Sequence, residues 1–199
     1  MNQILTTLTV SLVASLSASA ATISFSNYNT NTNGDLIPIV TSADALIDGA
    51  GVAALGYFTD DLAVASGDFS GFVEFGNVNF STPAAFSTDS VFNDSLSGDI
   101  LSGSSFIGKA MYAYITFGGE ALVSKSNSLT FGEDAPLFTA EFIASQDVAY
   151  LFGGNITTVD VGFGSQSAVQ TSLVPEPSTF AALAGLCSLG VVMVRRRRA

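Results

Sequence analysis

"KAMYAYITF", Lys109 to Phe117, alternates without a break: Met111, Ala113, Ile115 and Phe117 fall on one parity, and Tyr112, Tyr114 and Thr116 on the other. A period of two in a run rich in aromatic and β-branched residues predicts a strand with one face in a core. "APLFTAEFI", Ala135 to Ile143, repeats it, with Phe138, Ala140 and Phe142 opposite Thr139 and Glu141, and so does "ITTVDVGF", with Val159, Val161 and Phe163 opposite Asp160. In "GFVEFGNVNFS", Val73 and Phe75 are odd whereas Val78 and Phe80 are even, so a bulge or turn at Gly76-Asn77 is needed to keep one face inward. "VAYLF", Val148 to Phe152, is apolar on both faces and reads as a central strand. The Asp-Gly of "IDGAG", Ile47 to Gly51, marks a tight hairpin. Ile23 and Phe25 start a first strand, Asn29 to Asn33 form a loop, and a short helical turn is expected around Asp89 to Asp94. About eight to ten strands, with turns every 8 to 12 residues or so, predict an all-β fold: a single antiparallel β-sandwich or jelly roll.

Composition narrows what such a body can do. The chain has 6 Lys+Arg against 17 Asp+Glu, and four of the basic residues are Arg195, Arg196, Arg197 and Arg198. With Glu176 set aside as part of the tail, sixteen acids face two bases, Lys109 and Lys125, a net of −14. Such a surface repels phosphate, so nucleic acid is not an expected partner. An apolar fraction of 48% with 16 Phe and 5 Tyr nevertheless suffices for a core. The lone cysteine, Cys187, permits no intrachain disulfide, and the absence of histidine removes the commonest general base and zinc ligand.

Both ends read as processing signals. "MNQILTTLTVSLVASLSASA" has an apolar centre from Ile4 to Leu16, then Ala18-Ser19-Ala20, with small residues at the two positions a signal peptidase reads. Cleavage is expected after Ala20, although the first twenty residues carry no Lys or Arg. At the other end Ser178 to Val194 is an uncharged run about 25 Å long as a helix, against a hydrocarbon core of roughly 30 Å. Arg195 to Arg198 can snorkel to extend it, and they mark the cytoplasmic side. The expected precursor is exported by the Sec route and crosses the inner membrane once. Its parts are a signal peptide (1–20), an acidic exported domain (21–173) and a tail (174–199) with its transmembrane helix at about 178–194.

Val174-Pro175-Glu176-Pro177-Ser178-Thr179, then the apolar run, then Arg195 to Arg198, resembles the PEP-CTERM sorting tail of exported proteins in Gram-negative bacteria that make exopolysaccharide. The resemblance covers Val174 to Arg198. It implies that a membrane-embedded cysteine protease of the exosortase type recognises Pro175, Glu176 and Pro177, cuts near them and passes the body to the cell surface or matrix. Two prolines suit that role, because they keep the segment outside the bilayer extended.

Chemistry in the body itself is sparse. Asp60-Asp61 and Glu133-Asp134 are adjacent acids whose side chains point apart, so neither is a hydrolase dyad. Asp35, Asp68 and Asp99 lie in Gly-containing loops able to bend around calcium, but no D-x-D-x-D-G loop occurs. Some tails of this type belong to ice-binding proteins, yet Thr30-Asn31-Thr32 is isolated where such a face needs a regular array. The expectation is a non-enzymatic envelope or exopolysaccharide-matrix protein without a required cofactor. The alternative is a glycan-binding or adhesive module, calcium-assisted, using Tyr112 or Tyr114 as stacking platforms.

Overall fold

The computed structural model describes residues 20–27, 37–47, 50–80, 91–99, 104–132, 137–143, 147–160 and 164–175. Twelve strands and one short helix occur among them: β1 (Ala20–Ser26), β2 (Ile39–Val40), β3 (Val52–Phe58), α1 (Asp61–Ala65), β4 (Phe72–Asn79), β5 (Asn93–Asp99), β6 (Ala110–Phe117), β7 (Glu120–Thr130), β8 (Leu137–Ile143), β9 (Val148–Phe152), β10 (Asn155–Asp160), β11 (Ser165–Gln170) and β12 (Ser172–Leu173). The fold is all-β. The largest sheet runs β12-β7-β6-β3-β4 with β9 also on β7, and every pairing in it is antiparallel. Two three-stranded sheets, β5-β1-β8 and β10-β11-β2, each include one parallel pair, β1 with β8 and β11 with β2, which an all-antiparallel expectation did not contain.

β6 is the strand whose alternation is clearest, and Met111, Ala113 and Ile115 are each 0% exposed. They join Ile23 and Phe25 from β1, Leu55 from β3, Leu122 from β7 and Val169 from β11 in one core. The irregularity expected at Gly76-Asn77 is a bulge one residue earlier. Leu55 faces Gly76 while Gly56 faces Glu74, leaving Phe75 as the extra residue. The ring of Phe75 turns to Phe131 and Phe106, with centroids 5.4 and 5.6 Å away. Gly56 is obligatory beside that bulge, since a Cβ there would lie 2.2 Å from the Val73 carbonyl oxygen.

Two expectations are corrected. "VAYLF" is β9, but among the described residues it pairs only with β7 rather than sitting centrally, and its second apolar face meets α1 and Phe69. No helical turn forms at the described end of 89–94, where Val91 makes a bridge and Asn93 and Asp94 begin β5. The helix is α1, started by Asp60, whose carboxylate accepts hydrogen bonds from the Leu62 and Ala63 N–H groups. Ile47 is buried, but the Asp48-Gly49 turn, the Asn29 to Asn33 loop, Val161 and Phe163 lie outside the described residues.

Candidate functional site

The junction between body and tail is built from the β6–β7 hairpin. Gly118 and Gly119 have φ of 56° and 85°, so the two-residue turn uses the left-handed conformations that match strand twist. That glycine pair, flanked by alternating strands, is a hairpin signal legible in the sequence and absent from the expectations above. The turn delivers Glu120, whose carboxylate accepts the Ser42 N–H at 2.7 Å, the Ser42 hydroxyl at 2.8 Å and the Thr171 hydroxyl at short range. Partial burial pushes its pKa up, but the hydrogen bonds from Thr171 and Ser42 outweigh that, and the net direction is down. Glu120 thus ties the turn after β2 to the chain entering β12.

From Thr171 the chain runs straight into the tail. Ser172 and Leu173 pair with Ala121 and Glu120, and the Val174 N–H donates to the Gly119 carbonyl at 3.1 Å. Pro175 lies against Gly67, where an added Cβ would stand 2.9 Å from the Pro175 Cδ. Val174 also borders an open, shallow groove of ≈ 430 Å³ with Tyr114, Thr116 and Glu120 on its wall. Leu173 and Val174 are therefore held by the sheet edge with no spacer behind them, and Pro175 packs on the residue after the α1 cap.

A second polar cluster fixes α1 over the outer face of the large sheet. Asp61 takes the Lys125 ammonium at 2.6 Å and the Tyr112 hydroxyl at 2.5 Å, and Lys125 stands 5.3 Å from the centre of the Tyr112 ring. Burial raises the Asp61 pKa, but the bonds from Lys125 and Tyr112 together with the lysine charge bring it below its ordinary value. The Asp61 bond, followed by Tyr112, holds Lys125 protonated above its usual value. Burial, then the Asp61 bond, raises Tyr112.

One of the two aromatic platforms, Tyr112, is corrected here. Tyr112 is 4% exposed, and Tyr114 is half-buried among Phe58, Phe69 and Phe72, so Tyr112 has no ring face free for a sugar. Asp60 and Asp61 do diverge, one capping α1 and the other meeting Lys125. Asp68 accepts the Ser70 N–H at 3.0 Å, and among the described residues no three Cys, Asp or Glu side chains converge as a metal site. Asp35, Glu133 and Asp134 lie outside the described residues, as does the side chain of Asp99.

Residues 173–198 match the family description PEP-CTERM protein-sorting motif. The chain carries a PEP-CTERM motif. No curated protein and no solved structure matches the chain. The PEP-CTERM match begins at Leu173, the last residue of β12, so body and motif share a residue. A PEP-CTERM motif supports an exported protein that an exosortase processes at the membrane. Of its residues singled out in the sequence, Pro175 is described, whereas Glu176, Pro177, Arg195, Arg196, Arg197 and Arg198 lie outside the described residues, as do Cys187 and the run Ser178 to Val194. Among the described residues no helix is long and apolar enough to cross a membrane. Ala18 is likewise outside, while Ala20 opens β1 opposite Asp99 and Leu137. Cleavage after Ala20 would leave Ala21 to Ser26 of that strand.

Proposed function

We propose that this chain is a Sec-exported, non-enzymatic component of the cell surface or exopolysaccharide matrix, held first as a single-pass inner-membrane precursor. Signal peptidase cuts after Ala20, the bilayer holds Ser178 to Val194 with Arg195 to Arg198 inside, and an exosortase-type protease acts at Pro175, Glu176 and Pro177. The observation that carries this reading is the PEP-CTERM match beginning in β12, because it joins a folded acidic body directly to a sorting signal.

The three sheets are taken as a distorted β-sandwich around a main core, with Val40, Val159 and Ala168 forming a small second cluster in β10-β11-β2, a reading supported by Leu96 of β5 packing over Gly76 of β4 at 3.4 Å from where a Cβ would stand. A passive role for the body rests on its chemistry: no histidine in the chain, and the part-exposed Asp61 already committed to Lys125 and Tyr112. No cofactor is required. Protease added to spheroplasts should degrade the acidic body while leaving the cytoplasmic arginine end protected. A Pro175→Ala, Pro177→Ala double variant should keep Arg195 to Arg198 and stay membrane-bound where the wild type is shortened, and the same C-terminal end on both proteins in an exosortase-bearing host would contradict sorting at this segment.

A further inference from the structure

Among the described residues three large hydrophobic side chains are mostly exposed: Leu62 at 82%, Leu173 at 68% and Ile156 at 65%. Two of them belong to elements that converge where the tail departs. Leu173 ends β12, two residues before Pro175. Leu62 lies in α1, and its carbonyl accepts the Ser66 N–H at 3.2 Å; the next residue, Gly67, is the one that abuts Pro175. From Pro175 only three residues lead to Ser178, a reach of about 10 Å even fully extended.

On the reading that Ser178 to Val194 spans the bilayer, that end of the body cannot lift clear of the membrane surface. We propose that the α1–β12 end is a bilayer-docking surface, with Leu62 inserted at the boundary between headgroups and acyl chains. Its electrostatics exclude attraction to anionic lipid as the cause. Asp60 and Asp68 are exposed acids tied to backbone N–H groups, and Asp61 is neutralised by Lys125, so no surplus base faces the lipid from α1 or β12. Two leucines would not hold a free protein on a membrane, but a short tether makes the contact intramolecular, and a weak apolar interaction then suffices to set orientation. The docking accordingly gains nothing from anionic lipid, which the exposed Asp60 and Asp68 carboxylates oppose.

The full chain with Cys187→Ser is reconstituted in phosphatidylcholine vesicles containing a spin-labelled lipid that quenches fluorescence. A fluorophore is placed at Ala65→Cys, an exposed position in α1 that leaves Leu62 intact, or at Asn79→Cys. Asn79, Val52, Thr116, Ala121 and Ser172 form one row across the large sheet, so the control lies four strand spacings, about 19 Å, from β12. Quenching at residue 65 should exceed that at residue 79 by about twofold or more and fall to the control level with Leu62→Asp. Carbonate extraction checks the anchor separately. Equal quenching at both positions in a carbonate-resistant chain overturns the docking alone, whereas a chain released by carbonate overturns the anchor and the docking with it.

Discussion

Lys125 is one of two bases in the body, and its place is set by Asp61. The Asp61 side chain is 41% exposed, so water replaces much of what the lysine supplies, and Lys125→Met should cost no more than about 1 kcal/mol in urea unfolding. Asp61 has a folded pKa below its ordinary 3.8, so its contribution is complete above that value and disappears as pH falls through the lower folded one. Asp61→Asn should therefore destabilise the body at pH 7, and in unfolding curves the gap from wild type should begin to narrow below pH 3.8 and close once pH has fallen through the lower folded value; a gap that does not narrow would mean the charge is not the source. Glu120 has the same sign, so acid unfolding draws on both carboxylates. The sequence showed that Asp60 and Asp61 would diverge, but not that Tyr112 would be buried. Its face of β6 looked solvent-facing because parity reports only that two faces differ, and here α1, Phe58, Phe69 and Phe72 cover the second one.

Strands whose two faces differ in polarity, β6 and β10 among them, were legible because alternation is a local property. The bulge in β4 was legible for the same reason, since a change of parity within one strand must be absorbed somewhere. Gly56→Ala tests it: the new methyl meets backbone at 2.2 Å, which no rotamer can relieve, and the expected loss is about 3 kcal/mol, read from the shift of the urea midpoint. β9 was misplaced because a strand apolar on both faces looks the same whether a second sheet or a short helix covers it. α1, with only five residues, is too short to show a helical period and was signalled by its Asp60 cap alone. β12 was invisible to periodicity, being two residues held by pairing and by the Thr171–Glu120 bond. Thr171→Val removes that hydroxyl, a loss of about 1 kcal/mol, so amide exchange at Val174 should accelerate about fivefold. Unchanged exchange there would show that the edge is held without Glu120.

For the molecule as a whole, the two parts were unequally readable. The tail declares itself through an ordered composition of proline, apolar run and arginine, which needs no tertiary context. The body declares an all-β class and little chemistry, because its parallel pairings, β1 with β8 and β11 with β2, join segments far apart in the chain that no local pattern links. The structure adds the junction: the motif starts inside a strand, so its first residues, Leu173 and Val174, are bonded to the body and Pro175 packs on Gly67. Intact-mass analysis of the protein from matched hosts with and without an exosortase tests the central claim most directly. The account predicts a species beginning at Ala21 and ending near Pro175 to Pro177 only where the protease is present, and a chain that keeps Arg195 to Arg198 in both hosts would contradict it.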